Sequence, residues 1–517
     1  MRRILLIIAA GAIGSAAQSQ PVPPAAQPHV DHAHGVEIPD EYRWMETAGK
    51  SLDPWIDAED AHARVMLDSL PGRKVLEERI AELWRSGSGD LNESLIDERA
   101  GRRLVMDYSL DRPRLGLRGA DGRLTILFDG TADGPEKGAS LRRSATKLSP
   151  DGRFVTLGLV ERGEDRPRLR ILDVASRQLL PDRLDQPLWA DGDGMHITWL
   201  PDSSGLLWAR NPSRTAATTD GEREFNGHIY LHRLGTDSAS DAALFGLSLV
   251  AEIRADDTPY PGISPDARWL VIRLRHTEGR SLWAAPFAGG RVTAPFRKVF
   301  ATDGTISGWG VKDDNLWAVL PDGAPGHALY RAPLGNPAAH PQMVANGKNG
   351  VLSGLAVAGD ALYASQRDGA VSSLWRLSED GRREEIALPR PGVIDRLEPG
   401  AGAKGARLRL RSALHPDEWV HVLPGAVATL PMLPAPTGLP PGLAGLAVTV
   451  VHAPARDGAL VPVSLLHNKT QRRDGGGFVR IETYGCFGST REFIYDPANL
   501  AWLERGGMLA IAHVRGG

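Results

Sequence analysis

Cysteine is nearly absent: Cys486 is the only one in 517 residues, so no internal disulfide can hold the fold and the core must do that alone. Beyond the N-terminal segment no apolar run approaches the ~20 residues needed to cross a bilayer, which sets aside an integral helical membrane protein. Long basic blocks are missing and the net charge is −3, so the electrostatic footprint of a nucleic-acid binder is not there. The pattern G-x-S-x-G, a strand-to-helix turn that exposes a nucleophilic serine, occurs around no serine in the chain.

The composition that remains is ordinary for a globular protein, 42% hydrophobic and 24% charged, enough for a large core and for roughly two to four domains. The start "MRRILLIIAAGAIGSAAQSQ" has a basic pair, Arg2 and Arg3, an apolar core from Ile4 to Ile13 and small residues Ser15-Ala16-Ala17. That is the pattern of a secretory signal peptide over 1–17, shorter than a membrane span. It implies a periplasmic or secreted protein with no membrane attachment after cleavage. Residues 18–35, rich in Pro, Ala and Gln, read as a linker. His29, His32 and His34 within it read as a solvated cluster, since no Cys or Glu completes a ligand set nearby; no metal and no cofactor is expected. Residues 36–87 carry apolar residues at helical spacing in two runs separated by Pro71-Gly72, so two helices that need a partner are predicted.

From 88 to 439 helical periodicity gives way to short alternating segments parted by Asp- and Gly-rich turns. One hairpin signature recurs: "LSPDGRFVTLGLV", "WLPDSSGLLWARN", "ISPDARWLVIRL", "VKDDNLWAVL" and "VAGDALYASQ". A weaker copy lies at "DERAGRRLVMDYSL" and another at "GARLRLRSALHPDEWVHVLP". Intervals of roughly 45 to 65 residues match one four-stranded propeller blade with variable outer loops. The fold class predicted is mostly β, a seven-bladed propeller; two consecutive β-sandwiches would not need the same turn at that spacing.

After the Pro-rich stretch that ends near 440, "LAVTVVHAPARDGALVPVSLLHN" is two strands around Asp457-Gly458, a dipeptide suited to a type I′ turn. "FVRIETYGCFG" is a strand entering a glycine loop. "DPANLAWLERGG" is a helix with Asp496 as N-cap and Pro497 at its first position, and "MLAIAHV" is a further strand. Residues 440–517 therefore read as the opening of an α/β-hydrolase sheet.

Four ordered blocks now carry a resemblance. "HGVEIPDEYRWMETAG", with His34, Gly35, Asp40, Tyr42, Arg43 and Trp44, resembles the N-terminal motif of the prolyl oligopeptidase family, and "RDGALVPVSLLHN", "YGCFG" and "AIAHVRGG" resemble blocks at the start of its peptidase domain. The resemblance implies a seven-bladed propeller capping an α/β-hydrolase domain, N-terminal helices packed on that domain, and cleavage of short peptides by a Ser, Asp, His triad. It also implies that Tyr484 donates to the oxyanion and that Phe487 lines the substrate pocket. The family's nucleophile, acid and base follow the Arg-Gly-Gly block, where this sequence stops, so a truncated chain without peptidase activity of its own is expected. Ser489 lacks flanking glycines and His513 is a strand-end residue; neither is expected to act. Gly488 and "AIAHVRGG" are nearer to oligopeptidase B, which prefers basic residues, than to proline-specific members. The alternative reading is a non-catalytic exported propeller that binds peptides or another protein.

Overall fold

The computed structural model describes residues 21–47, 49–87, 93–108, 113–119, 121–130, 136, 138–161, 167–185, 187–190, 194–195, 197–211, 225–321, 326–347, 350–368, 371–400, 404–429, 440, 442–472, 474–486 and 489–515. The signal-peptide segment 1–17, the Pro-rich stretch 430–439 and Phe487 lie outside them. Two compact units are present, Met1–Glu82 and Leu83–Gly517.

In the first unit, Val30–Ala33 pairs antiparallel with Val36–Pro39. The turn between them is His34-Gly35, both at positive φ, which is what a type I′ turn demands. A strand thus extends into the segment whose composition reads as linker. Arg43 forms ion pairs with Asp31, with Asp40 at 3.3 Å and with Glu46 at 2.5 Å, while the Tyr42 N–H donates to the Asp40 carboxylate at 3.0 Å. Three residues of the N-terminal motif are therefore tied to one another and to the hairpin. Helices follow at Asp53–Asp68, with a proline in its first turn, and at Arg73–Gly87, parted by Gly72 at φ +81°. No described helix is long and apolar enough to cross a membrane.

The second unit holds, among the described residues, seven sheets in succession: Glu93–Asp129, Ser140–Leu184, Ile197–Phe245, Thr258–Thr302, Gly308–Asn346, Val351–Ile386 and Val393–Thr429. Each is an antiparallel meander of four strands taken in chain order; the fourth adds a two-residue strand, Arg291–Val292. Second strands such as Phe154–Val160, Gly205–Arg210 and Asn315–Pro321 are apolar on both faces and buried almost throughout, as a strand covered on two sides must be.

Neighbouring sheets share cores. Leu104 and Leu115 of the first sheet pack with Val155 and Leu157 of the second, and Ile171 of the second with Trp199 and Trp208 of the third. The series continues with Leu207 against Ile272, Leu282 against Leu316, Trp317 against Leu355, and Tyr363 against Leu408. Each such side chain contributes about 1.5–3 kcal/mol by leaving water. Where the seventh sheet meets the first the contact is polar. Arg407 donates to the Glu98 carbonyl at 3.4 Å, holds Glu398 at 2.6 Å and lies over the Trp419 ring at 4.7 Å.

Two copies of the recurring turn share one geometry. In Ser149-Pro150-Asp151-Gly152-Arg153 the serine hydroxyl donates to Asp151 at 2.6 Å and accepts from the Phe154 N–H at 3.0 Å, and Gly152 sits at φ +71°. Ser264-Pro265-Asp266-Ala267-Arg268 repeats it, with Ser264 on Asp266 at 2.5 Å and the Trp269 N–H on Ser264 at 2.9 Å. There, however, Ala267 occupies the left-handed position at φ +58°. A Cβ in that region costs about 1–2 kcal/mol. Ala267→Gly is expected to stabilise the protein by roughly 1 kcal/mol after the flexibility glycine adds to the unfolded chain. Chemical denaturation would measure it, and a lower midpoint in the variant would contradict the strain argument.

The C-terminal sheet has the order Leu446–Pro454, Leu460–Asn468, Met508–Ala512, Val479–Thr483. The first three strands run antiparallel, and Val479–Thr483 lies parallel to Met508–Ala512. A strand, a short helix (Asn499–Leu503) and a parallel strand form one crossover. The Asp457-Gly458 turn differs from the type I′ expectation, because only Gly458 has positive φ. Its N–H closes on the Ala455 carbonyl at 2.9 Å and the Ala455 N–H on the Ala459 carbonyl at 2.8 Å, the three-residue hairpin with a left-handed glycine at its end. Asp496 accepts from the Ala498 N–H at 2.9 Å, so it caps a first turn that tightens before the regular helix begins at Asn499.

Candidate functional site

The blocks "RDG", "YGCFG" and "AHVRGG" lie far apart in sequence and meet at one end of the C-terminal sheet. Asp457 of the hairpin turn takes both Arg515 nitrogens, at 2.6 and 2.9 Å, a bidentate pair. Thr483 donates to the Ala512 carbonyl at 3.1 Å. A Cβ on Gly485 would strike the Arg515 carbonyl oxygen and the Val514 side chain, so glycine is what lets the two strand ends approach. Tyr484, 42% exposed, emerges where the parallel strands Val479–Thr483 and Met508–Ala512 both end. The C-terminal edge of parallel strands is where open α/β sheets form their ligand crevice. Phe487 lies outside the described residues, and of Ser489 only backbone pairing with Cys486 is described.

Glu492, in the loop beyond that edge, is ion-paired with Arg367 of the sixth sheet. His513 directly follows the strand Met508–Ala512. Its backbone N–H donates to the Pro462 carbonyl at 2.9 Å and its ring Nε2 meets the Ser464 hydroxyl at 2.8 Å. Burial, reinforced by the Arg367 charge, holds its basicity below the usual histidine range. Ser464 is 1% exposed, so this serine–histidine contact joins two strands and offers no atom to a substrate.

A second arrangement has triad-like connectivity. Asp257 meets His276 Nδ1 at 2.7 Å, and His276 Nε2 meets the Ser281 hydroxyl at 2.7 Å. The Trp283 indole N–H also donates to that hydroxyl, at 2.9 Å. Ser281 is fully buried, so this chain of hydrogen bonds ties the strands of the fourth sheet and cannot perform acyl transfer. Among the described residues no cluster of His, Cys, Asp and Glu is placed to hold a metal ion.

The propeller-like region also contains a cavity of about 390 Å³, walled by Ser307–Trp309, Ser353–Leu355 and Ile394–Glu398 from the first strands of the fifth, sixth and seventh sheets and the chain leading into them, with Arg273 from the fourth. Sequence reasoning did not find it, because its residues come from strands that only the circular order of the sheets brings together.

Residues 125–424 match the family described as prolyl oligopeptidase, N-terminal beta-propeller domain. The chain is 20% identical over 502 residues to a prolyl endopeptidase of Elizabethkingia meningoseptica, covering 95% of this chain and 67% of that protein. It is 23% identical to dipeptidyl aminopeptidase BI of Pseudoxanthomonas mexicana, covering 97% and 70%. Among solved structures, prolyl oligopeptidase B from Galerina marginata, bound to a 35mer hydrolysis and macrocyclization substrate, superposes with a TM-score of 0.79 at 18% identity, covering 96% of this chain and 72% of that one. Oligopeptidase B from Leishmania major superposes with a TM-score of 0.72 at 17% identity, covering 96% and 72%. The fold is the propeller-like one of those enzymes, and with more than half of its length matched to their propeller domain the chain belongs to the prolyl oligopeptidase family.

Proposed function

We propose that the chain is the larger part of an exported serine-type oligopeptidase, in which a seven-bladed propeller over 88–439 screens an α/β-hydrolase domain beginning at 440. The observation that carries this reading is the meeting of three separate blocks around exposed Tyr484 at the C-terminal end of two parallel strands. Tyr484 would donate its hydroxyl to the oxyanion of the tetrahedral intermediate, Phe487 would line the substrate pocket, and the triad would be supplied by sequence following Gly517. The substrates would be short peptides, and neither a cofactor nor a metal is required. For the 517 residues taken alone, a non-catalytic peptide-binding role is the second reading, favoured by the burial of Ser281 and Ser464.

In a polypeptide that continues past Gly517 into a G-x-S-x-G elbow, Tyr484→Phe is expected to lower kcat by about 10²-fold or more with KM little changed, since a placed oxyanion donor contributes about 3 kcal/mol at the transition state. Steady-state hydrolysis of chromogenic peptides measures this. Unchanged kcat would remove Tyr484 from the site. Export is checked separately by N-terminal sequencing of secreted material, expected to begin near Gln18; an intact Met1 in the cytoplasm would refute it.

A further inference from the structure

A second cavity, of about 570 Å³, lies between the last strand of the fifth sheet and the sixth sheet. One side is formed by residues 343–346 of the strand Gln342–Asn346. The other is formed by Gln366, Trp375 and Arg383, one each from the strands Leu362–Asp368, Val371–Leu377 and Arg383–Ile386 of the sixth sheet. Trp375 pairs across the strands with Glu385 and Leu377 with Arg383, and residues two apart on a strand share a face, so Trp375 and Arg383 look the same way. Gly381 closes the turn between them at φ +85°, where a Cβ would come within 2.3 Å of the Val344 carbonyl oxygen. Only glycine lets this turn press on the fifth sheet, which fixes the two sides against each other.

Arg383 is the one charged residue of this wall, and the wall holds no Asp or Glu. Burial lowers its basicity. Among the described residues no acid forms an ion pair with it, and its hydrogen bond to Gln366 Oε1 is long, at 3.4 Å. Arg383 also borders a neighbouring cavity whose acids are engaged elsewhere: Asp360 by the Tyr363 hydroxyl at 2.8 Å, Glu379 by Lys312 at 2.7 Å and Glu384 by Arg376 at 3.7 Å. Glu385 is exposed. A guanidinium drawn partly out of water with no carboxylate to offset the loss is arranged for an anion from outside the chain. Its planar fork suits a carboxylate, because two parallel N–H···O bonds can form. Trp375, Val344 and Ala345 supply an apolar wall beside it, and the volume lies within the range of pockets that enclose small ligands.

We propose that this cavity binds an apolar organic carboxylate, with the carboxylate held by Arg383 and an aromatic or aliphatic body set against Trp375. It shares no wall residue with the strand-end site around Tyr484, and the inference does not depend on reading the chain as a peptidase.

Three dansyl-labelled ligands test it by fluorescence anisotropy on the 517-residue chain and on Arg383→Gln: dansyl-phenylalanine, its amide, and dansyl-glycyl-glycyl-phenylalanine with a free carboxylate. At low salt at least one of the two acids is expected to bind about ten-fold or more tightly than the amide, the effect of a charge-assisted hydrogen bond. Arg383→Gln should abolish that advantage while leaving amide binding unchanged, and circular dichroism should show the variant folded. The two acids separate a free small acid from a peptide C-terminus as the source of the carboxylate. On the unaltered chain, 3-phenylpropionate should displace the bound acid and 3-phenylpropanamide should not, a readout that needs no variant. Equal binding of acids and amide, equal displacement by both competitors, binding of none of the ligands, or an advantage that survives Arg383→Gln overturns the site.

Discussion

Chromogenic peptides with proline or arginine at the cleavage position are expected to survive incubation with the 517-residue polypeptide at the rate of buffer alone. A serine nucleophile needs a base within hydrogen-bond reach and a route for the substrate. The described serine–histidine contacts fail on one count or the other: the Ser464 and Ser281 hydroxyls, which meet His513 and His276, are buried, while the His327 Nδ1 that meets Ser307 at 2.8 Å also donates to the Leu352 carbonyl at 3.1 Å and so is no base for that hydroxyl. A complete triad is worth on the order of 10⁶ in kcat, so the effect is close to all-or-none. Fluorophosphonate labelling should likewise be absent. Labelling that disappears in Ser489→Ala would show that this serine is activated after all.

His232 is the position where a single substitution should cost the most stability. Its side chain is completely buried between two carboxylates, Asp182 at 2.9 Å from Nε2 and Asp241 at 2.9 Å from Nδ1. The Gly235 N–H donates to Asp182 at 2.7 Å, and the Trp208 indole donates to Asp241 at 2.8 Å. Only an imidazolium can donate to both acids at once. Burial opposes that charge, but the hydrogen bonds to Asp241 and Asp182 outweigh it and raise the basicity above the usual histidine value. His232→Phe would leave two buried carboxylates without their counter-charge, a loss of about 3–5 kcal/mol, read as a fall in the denaturation midpoint.

The sign of the pH effect follows from the raised basicity. A histidine in the unfolded chain titrates near ~6.5, so the cluster stabilises fully below that pH and loses its contribution as pH rises through the higher folded value. The wild-type midpoint should therefore decline on the alkaline side of neutrality, with a slope absent from His232→Phe. A pH-independent wild type over that range would mean that the imidazole is neutral in the fold.

What could be read in the sequence depended on how local the cause was. The first hairpin of six sheets was legible because Asp, Gly and Pro fix backbone angles within a few residues, as at Ser149–Arg153 and Ser264–Arg268. In the seventh sheet the sequence copy falls on the second and third strands, Ala406–Arg411 and Glu418–Leu423, because the turn before them has glycine and lysine where the turns of the second to sixth sheets have aspartate. The hairpin at His34-Gly35 was hidden by the proline- and alanine-rich composition around it. Nothing in the sequence marked the His232 cluster or the arginine cavity. Asp182 and His232 are 50 residues apart, and only the packing of one sheet on the next brings them into contact. The Tyr484 edge lies between these cases, since its motifs could be seen but not their convergence through Gly485 and Arg515.

Because each of the seven sheets described between Glu93 and Thr429 is built from strands that follow one another in the chain, no strand among them has to wait for a distant segment before its own sheet can close. A nascent chain leaving the ribosome can finish one sheet, offer its apolar face to the next, and grow in order, with loop-closure entropy kept low at each step. The one junction that cannot form early is that of the seventh sheet with the first, where Arg407 reaches back across 309 residues to Glu98. That step comes last, and its rate should respond to ionic strength far more than the steps before it.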